Sequence, residues 1–147
     1  MNKPHQRVGS QSNAHVGAAF EAKARSYFSK KGIPLEKNFT VEVGVCKARK
    51  PHKFDLGSSN PKIIVECKSH TWTAGGKVPS AKLTVWNEAM FYFYVAPSGY
   101  KKFLFVKHHR RAKGGESFLS YYRRTYGHLF PHGVKFIEYD EKTGRTV

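Results

Sequence analysis

The chain has 147 residues, with 26 Lys and Arg against 10 Asp and Glu, for a formal net charge of +16. That length supports one domain with a real core but not two comfortable ones, and an aromatic content of 14% excludes a disordered basic tail. The charge imbalance points to a polyanionic partner, nucleic acid first and an anionic membrane surface second.

Residues 1–13 read as a flexible basic arm, and residues 14–147 as a single domain. Met1 to Gly17 is polar and contains no apolar segment, so no signal peptide is expected. Phe20, Ala24, Tyr27 and Phe28 recur at helical spacing between Ala14 and Lys31, and Gly32-Ile33-Pro34 stops that helix. Thr40 to Val45 alternates apolar and polar residues and predicts a strand. Cys46 to Lys53 is a basic connector. Lys53-Phe54-Asp55 and Ile63-Ile64-Val65-Glu66-Cys67-Lys68 predict two strands, joined by turn chemistry in Gly57-Ser58-Ser59-Asn60-Pro61. Thr73 to Pro79 is a loop. Ser80 can cap a helix running through Trp86 and Met90, whereas Phe91 to Val95 has strand-like composition. Lys102 to Lys107 predicts a strand, Glu116 to Leu129 an aromatic and arginine-rich helix, and Val134 to Tyr139 a last strand. The order α-β-β-β-α-β-α-β implies one mixed sheet with helices on its faces, an α/β fold.

The densest apolar run, Met90 to Ala96, is far too short to span a membrane. Cys46 and Cys67 form no CxxC pair and no disulfide framework. Cys67 is expected to be a small buried apolar residue. A soluble intracellular, cytoplasmic protein with no membrane partner is the resulting expectation.

Chemistry concentrates in the predicted hairpin. Side chains alternate along a strand, so Glu66 and Lys68 share one face while Val65 and Cys67 take the other. Folding back brings Asp55 toward Glu66, and two adjacent carboxylates repel unless a proton or a cation separates them. The chain has only two Asp, Asp55 and Asp140. A solvated sheet face is the commoner fate of such charges, but this strand is otherwise strongly apolar and unpartnered charge in it is costly. A divalent metal site follows.

These residues resemble the PD-(D/E)XK nuclease superfamily, whose core is αβββαβ, of restriction-endonuclease-like type, with its motif on the second and third strands. Asp55 matches the motif's Asp, Glu66 its (D/E) and Lys68 its Lys, with Phe54 in place of the Pro. Glu21 fits the glutamate that the superfamily commonly carries on its first helix, as in archaeal Holliday-junction resolvases and related small nucleases. The resemblance spans roughly residues 14 to 107 in element order and rests on a short, degenerate motif. It implies a metal-dependent DNA endonuclease hydrolysing phosphodiester bonds, with 5′-phosphate products. Asp55 and Glu66 would bind Mg²⁺ (Mn²⁺ substituting) through hard oxygens, with the backbone carbonyl of Cys67 as a further ligand. Lys68 would orient the attacking water or stabilise developing charge. Glu21 would complete a second metal position or hold a water there; its bland alternative is an exposed helix carboxylate.

A basic block follows the motif. Lys107, Arg110, Arg111, Lys113, Arg123 and Arg124, with His70, Lys77 and Lys82 upstream, are expected to bind DNA, giving salt-sensitive affinity. Tyr121, Tyr122 and Tyr126 fit core positions better than stacking platforms; for Trp72, core packing and the DNA groove are equally good readings. Cutting both strands usually needs two sites, which favours a homodimer or higher symmetric homo-oligomer, nucleoid-associated when bound to DNA. A His-Asn-His nuclease is disfavoured because no Asn lies between His109 and His128. Two other classes remain: a non-catalytic basic nucleic-acid-binding protein, and an RNA-directed nuclease on the same scaffold.

Overall fold

The computed structural model describes residues 13–147; the expected N-terminal arm lies outside them. Helix α1 (Asn13–Lys30) is followed by strands β1 (Glu36–Val43), β2 (Lys50–Ser59) and β3 (Lys62–Lys68). Then come α2 (Ser80–Val95), β4 (Lys101–Lys107), α3 (Phe118–Tyr126) with a 3₁₀ turn at Gly127–Leu129, β5 (Val134–Asp140) and the two-residue β6 (Arg145–Thr146). The strands form one six-stranded mixed sheet in sequence order. β1, β2 and β3 are antiparallel neighbours, β3, β4 and β5 are parallel, and β6 returns antiparallel to β5.

Each helix exists because it buries a stripe. Phe20, Ala24 and Phe28 of α1 pack on Ile63, Val65 and Phe105 on one sheet face. Leu83, Trp86, Met90 and Phe93 of α2, with Phe118, Leu119 and Tyr122 of α3, fill the other face against Phe54, Ile64, Leu104 and Val106. α1 ends as its sequence requires. Gly32 takes φ +80° and the Ile33 N–H returns to the Phe28 carbonyl at 3.0 Å, the closure that a left-handed glycine allows.

Several boundaries differ from the sequence expectation, each for a physical reason. β1 runs Glu36–Val43 rather than Thr40–Val45, because backbone pairing to the long β2 continues to Glu36 opposite Gly57 whatever the side chains are. For the same reason Lys50 to Lys53, expected in the connector, belong to β2. Gly57 to Ser59 also extend β2, paired to Ile64, Ile63 and Lys62, so the turn contracts to Asn60-Pro61. Phe91 to Val95 completes α2 because Phe93 and Val95 continue its buried stripe. Ser80 is the first helical residue and does not cap; Pro79 holds the cap position with no side-chain hydrogen bond. α3 starts later than expected, after Ser117, whose side chain accepts the Ser120 N–H at 3.1 Å. β6 is too short to carry any sequence pattern.

Gly57 is a close-approach position. A Cβ there would sit 2.4 Å from Cδ2 of Phe39 on the neighbouring strand. Gly57→Ala is therefore expected to destabilise by about 1–3 kcal/mol through overpacking, read as a lower urea midpoint at unchanged slope.

Candidate functional site

Alternation along β2 is interrupted at Asp55. Phe54 packs on the α2 side of the sheet and Leu56, two residues on, packs on the α1 side. Regular pairing of β2 with β3 extends from Ser59 opposite Lys62 to Leu56 opposite Val65 and goes no further. Beyond that point the ladder is replaced by a side chain: Oδ2 of Asp55 accepts the Cys67 N–H at 2.8 Å. This single bond satisfies a backbone donor that would otherwise be orphaned, and it pins Asp55 beside the end of β3.

The neighbouring groups converge there. Glu66 is only 6% exposed, and its Oε1 lies 3.4 Å from Nε2 of His52 on β2. His52 is itself clamped, stacked on Tyr92 of α2 with ring centroids 3.6 Å apart and edge-on to Phe54. Glu21 follows Phe20 on the sheet-facing side of α1 and reaches the same place. Asp55 lies near enough to both Glu21 and Glu66 for its charge to act on them. Burial pushes the Glu21 carboxyl up to about 7, reinforced by the Asp55 charge and opposed by Lys37 and Lys68. Burial likewise pushes Glu66 up to about 7; the His52 hydrogen bond pulls it down, Asp55 raises it, and Lys68 lowers it. The Cys67 thiol is pushed up by burial and by the same three carboxylates, which keeps it an unreactive apolar residue against the α1 face. Lys68 is half-buried, and its charge lowers the pKa of Glu21, Glu66 and His70 alike.

The sequence-predicted quartet Glu21, Asp55, Glu66 and Lys68 is thus gathered at the carboxyl end of β3. His52 is the member that sequence reasoning missed. Its only signal was an i, i+2 relation to Phe54 on the same face, which says nothing of a partner fourteen residues away. Among the described residues, no group of three or more His, Cys, Asp or Glu side chains is placed to hold a metal ion.

The titration of this cluster has a testable sign. A carboxyl raised above its unfolded value contributes stability that is full below the unfolded pKa and is lost as pH rises through the folded pKa. For Glu21 the window runs from the ordinary carboxyl value of 4.5 to about 7. In EDTA, Glu21→Gln is expected to raise the melting temperature relative to wild type at about pH 8, with the gain vanishing near pH 5. Paired thermal melts at the two pH values check it.

Around this cluster the predicted basic residues take different places. The carboxyl ends of the parallel strands are level, with Lys68 opposite Val106 and Lys107 opposite Tyr139. Two clefts open on that rim. One, of about 400 Å³, is lined by Ser69, His70, Thr71 and Lys82. The other, of about 480 Å³, is lined by Lys107, His108, His109, Arg110, Asp140 and Lys142. His108 is tied to Glu138 at 2.8 Å.

Arg111 turns inward instead. It lies over the Trp72 ring, 4.5 Å from the centroid, and its Nε donates to the Gly76 carbonyl at 2.7 Å. Trp72 is 3% exposed and donates through Nε1 to the Glu116 carbonyl, so it belongs to the core. Arg111 and Trp72 together strap the 69–79 loop to the 108–117 loop. Arg124 pairs with Glu116 through two hydrogen bonds, and Arg123 covers Phe136. Lys77 and Lys113 are exposed. Tyr122 is buried and donates to Oδ1 of Asn87 at 3.0 Å, while Tyr121 and Tyr126 pack against the same core, as expected of core tyrosines. No helix among the described residues is long and apolar enough to cross a membrane. Comparison of the chain with profiles of known families, with curated proteins and with solved structures returns no match.

Proposed function

We propose that this chain is a Mg²⁺-dependent DNA endonuclease of the PD-(D/E)XK type. The observation that carries the reading is the convergence of Glu21, Asp55, Glu66 and Lys68 at one strand end, on a rim whose other clefts are basic. The element order α1-β1-β2-β3-α2-β4, with Asp55 on the second strand and Glu66 and Lys68 on the third, supports it.

The donor set fits a divalent cation. Burial first, and the Asp55 charge second, raise the pKa of Glu21 and Glu66, and a dication offsets both effects. Mg²⁺ takes one or two carboxylates and keeps its remaining positions for water and substrate phosphate, so an incomplete protein cage suits it. Asp55 and Glu66 would hold the ion, with the Cys67 carbonyl as a further oxygen and Glu21 at its edge. When bound, the metal supplies charge neutralisation at the scissile phosphate and eases deprotonation of the attacking water.

The chain's own groups do the rest. The Asp55–Cys67 hydrogen bond fixes the peptide between the two ligands. His52, held by Tyr92, restrains the Glu66 carboxylate. Lys68 places an ammonium among the carboxylates, where it orients the water and stabilises charge developing on phosphate oxygen. Hydrolysis leaves a 5′-phosphate and a 3′-hydroxyl. DNA lies along the rim, its backbone met by Lys82, Lys107 and Arg110.

The protein acts as a homodimer. The surface formed by Phe91 and Tyr94 of α2 with Leu129 of the 3₁₀ turn, which are 58%, 64% and 49% exposed, is lined without any Lys or Arg, so two highly basic copies can approach there. The test of function is incubation with supercoiled plasmid, linear duplex, single strand, four-way junction and an RNA duplex, in Mg²⁺ and in EDTA. DNA cutting confined to Mg²⁺ is expected. Cutting of RNA alone would shift the substrate to RNA, and salt-sensitive binding with no cutting would make the chain a binding protein.

A further inference from the structure

The cleft beyond Lys68 has a chemistry of its own. His70 stands in its wall, and Nε1 of the buried Trp86 donates to His70 Nδ1 at 2.9 Å. Nδ1 is therefore the acceptor, and the proton of the neutral ring sits on Nε2. Burial, with the charges of Lys82 and Lys68, lowers the His70 pKa to about 4, so the ring stays neutral at working pH. Among the described residues Nε2 has no partner. No Asp or Glu lines the cleft; hydroxyls of Ser69, Thr71 and Thr73 do, together with the Lys82 chain. A neutral N–H donor of fixed direction, flanked by two ammonium groups and hydroxyls, complements an anionic acceptor. At about 400 Å³ the cleft is of ligand size.

We propose that this cleft binds a second backbone phosphate of the cleaved strand, the neighbour of the one being cut. His70 Nε2–H and the Lys82 ammonium are its ligands, and Trp86 positions His70. The proposal rests on the nuclease reading, because the cleft begins at Ser69, next to Lys68, and a strand whose scissile phosphate meets Lys68 must carry its next phosphate close by. Fixing two successive phosphates sets the strand's direction and register at the site, as backbone contacts do.

The test is single-turnover cleavage of a synthetic DNA duplex with a mapped cut site. Uncharged methylphosphonates replace one phosphate at a time on either side of the cut. In the wild type, one position adjacent to the cut is expected to lower the rate about tenfold or more, the loss of a charge-assisted hydrogen bond. His70→Ala and Lys82→Ala are each expected to lose a similar factor on the native duplex. Neither should lose much more when that same phosphate is neutralised. Trp86→Phe, which keeps a smaller aromatic ring but removes the N–H, is expected to reduce the rate partly and to shift the His70 imidazole resonances. Full additivity of variant and methylphosphonate, or wild-type rates for His70→Ala, overturns the proposal while leaving the nuclease reading intact. Absence of cutting by the wild type on every substrate overturns both.

Discussion

Asp55→Asn is expected to abolish Mg²⁺-dependent cutting, by about 10³-fold or more, since a bound metal supplies several kcal/mol of charge stabilisation and each 1.36 kcal/mol is tenfold in rate. The same substitution is expected to raise the melting temperature of the metal-free protein at about pH 8, where the carboxyls it neighbours are ionised. The two effects have one origin. Asp55 raises the pKa of both Glu21 and Glu66, so its charge opposes their ionisation in the folded protein. An asparagine keeps an oxygen to accept the Cys67 N–H, so the local backbone survives while the repulsion goes. A stability gain paired with loss of activity marks a site where charge is kept for function rather than folding. Cleavage rates and thermal melts on the same preparations check it. A structural salt-bridge role for Asp55 predicts the opposite sign in the melts.

Trp86→Ala is expected to cost about 3–5 kcal/mol, a large share of the ~5–15 kcal/mol that holds a domain of this kind together. Trp86 is fully buried, packs edge-on against both Phe118 and Tyr122 with centroids 4.9 Å away, and joins α2 to α3 across the sheet face. Its removal leaves a cavity lined by rigid rings that cannot collapse into it. The loss also frees His70, so surviving folded protein should cut slowly. Phe91, on the outer side of the same helix and 58% exposed, serves as control: Phe91→Ala is expected to stay within about 0.5 kcal/mol of wild type in the monomer. Urea unfolding followed by circular dichroism separates the two.

Reading the sequence located the cluster more surely than the element ends. α1 was legible because Phe20, Ala24 and Phe28 obey one period and Gly32 ends it. The Asp55, Glu66 and Lys68 set was legible because a charged pair stood out against Ile63, Ile64 and Val65. The interruption of alternation at Asp55 was not, since it depends on where β2 leaves β3. β1 was misplaced because an edge strand with one exposed face can be polar for half its length and still pair fully. The carboxyl half of α2 was ambiguous because aromatic and β-branched residues suit both states, and only burial of Phe93 and Val95 decides. Local composition likewise gave no sign that Arg111 turns inward onto Trp72, or that His52 reaches Glu66. Both contacts join segments far apart in sequence.

The most direct measurement of the central claim is end-labelled DNA cleavage in Mg²⁺ by the wild type and by Lys68→Ala, with DNA affinity measured in parallel. The account predicts 5′-phosphate products from the wild type, a rate about 10²–10³-fold lower in the variant, and nearly equal affinities. Equal cutting by both proteins, or tight salt-sensitive binding with cutting by neither, would contradict it.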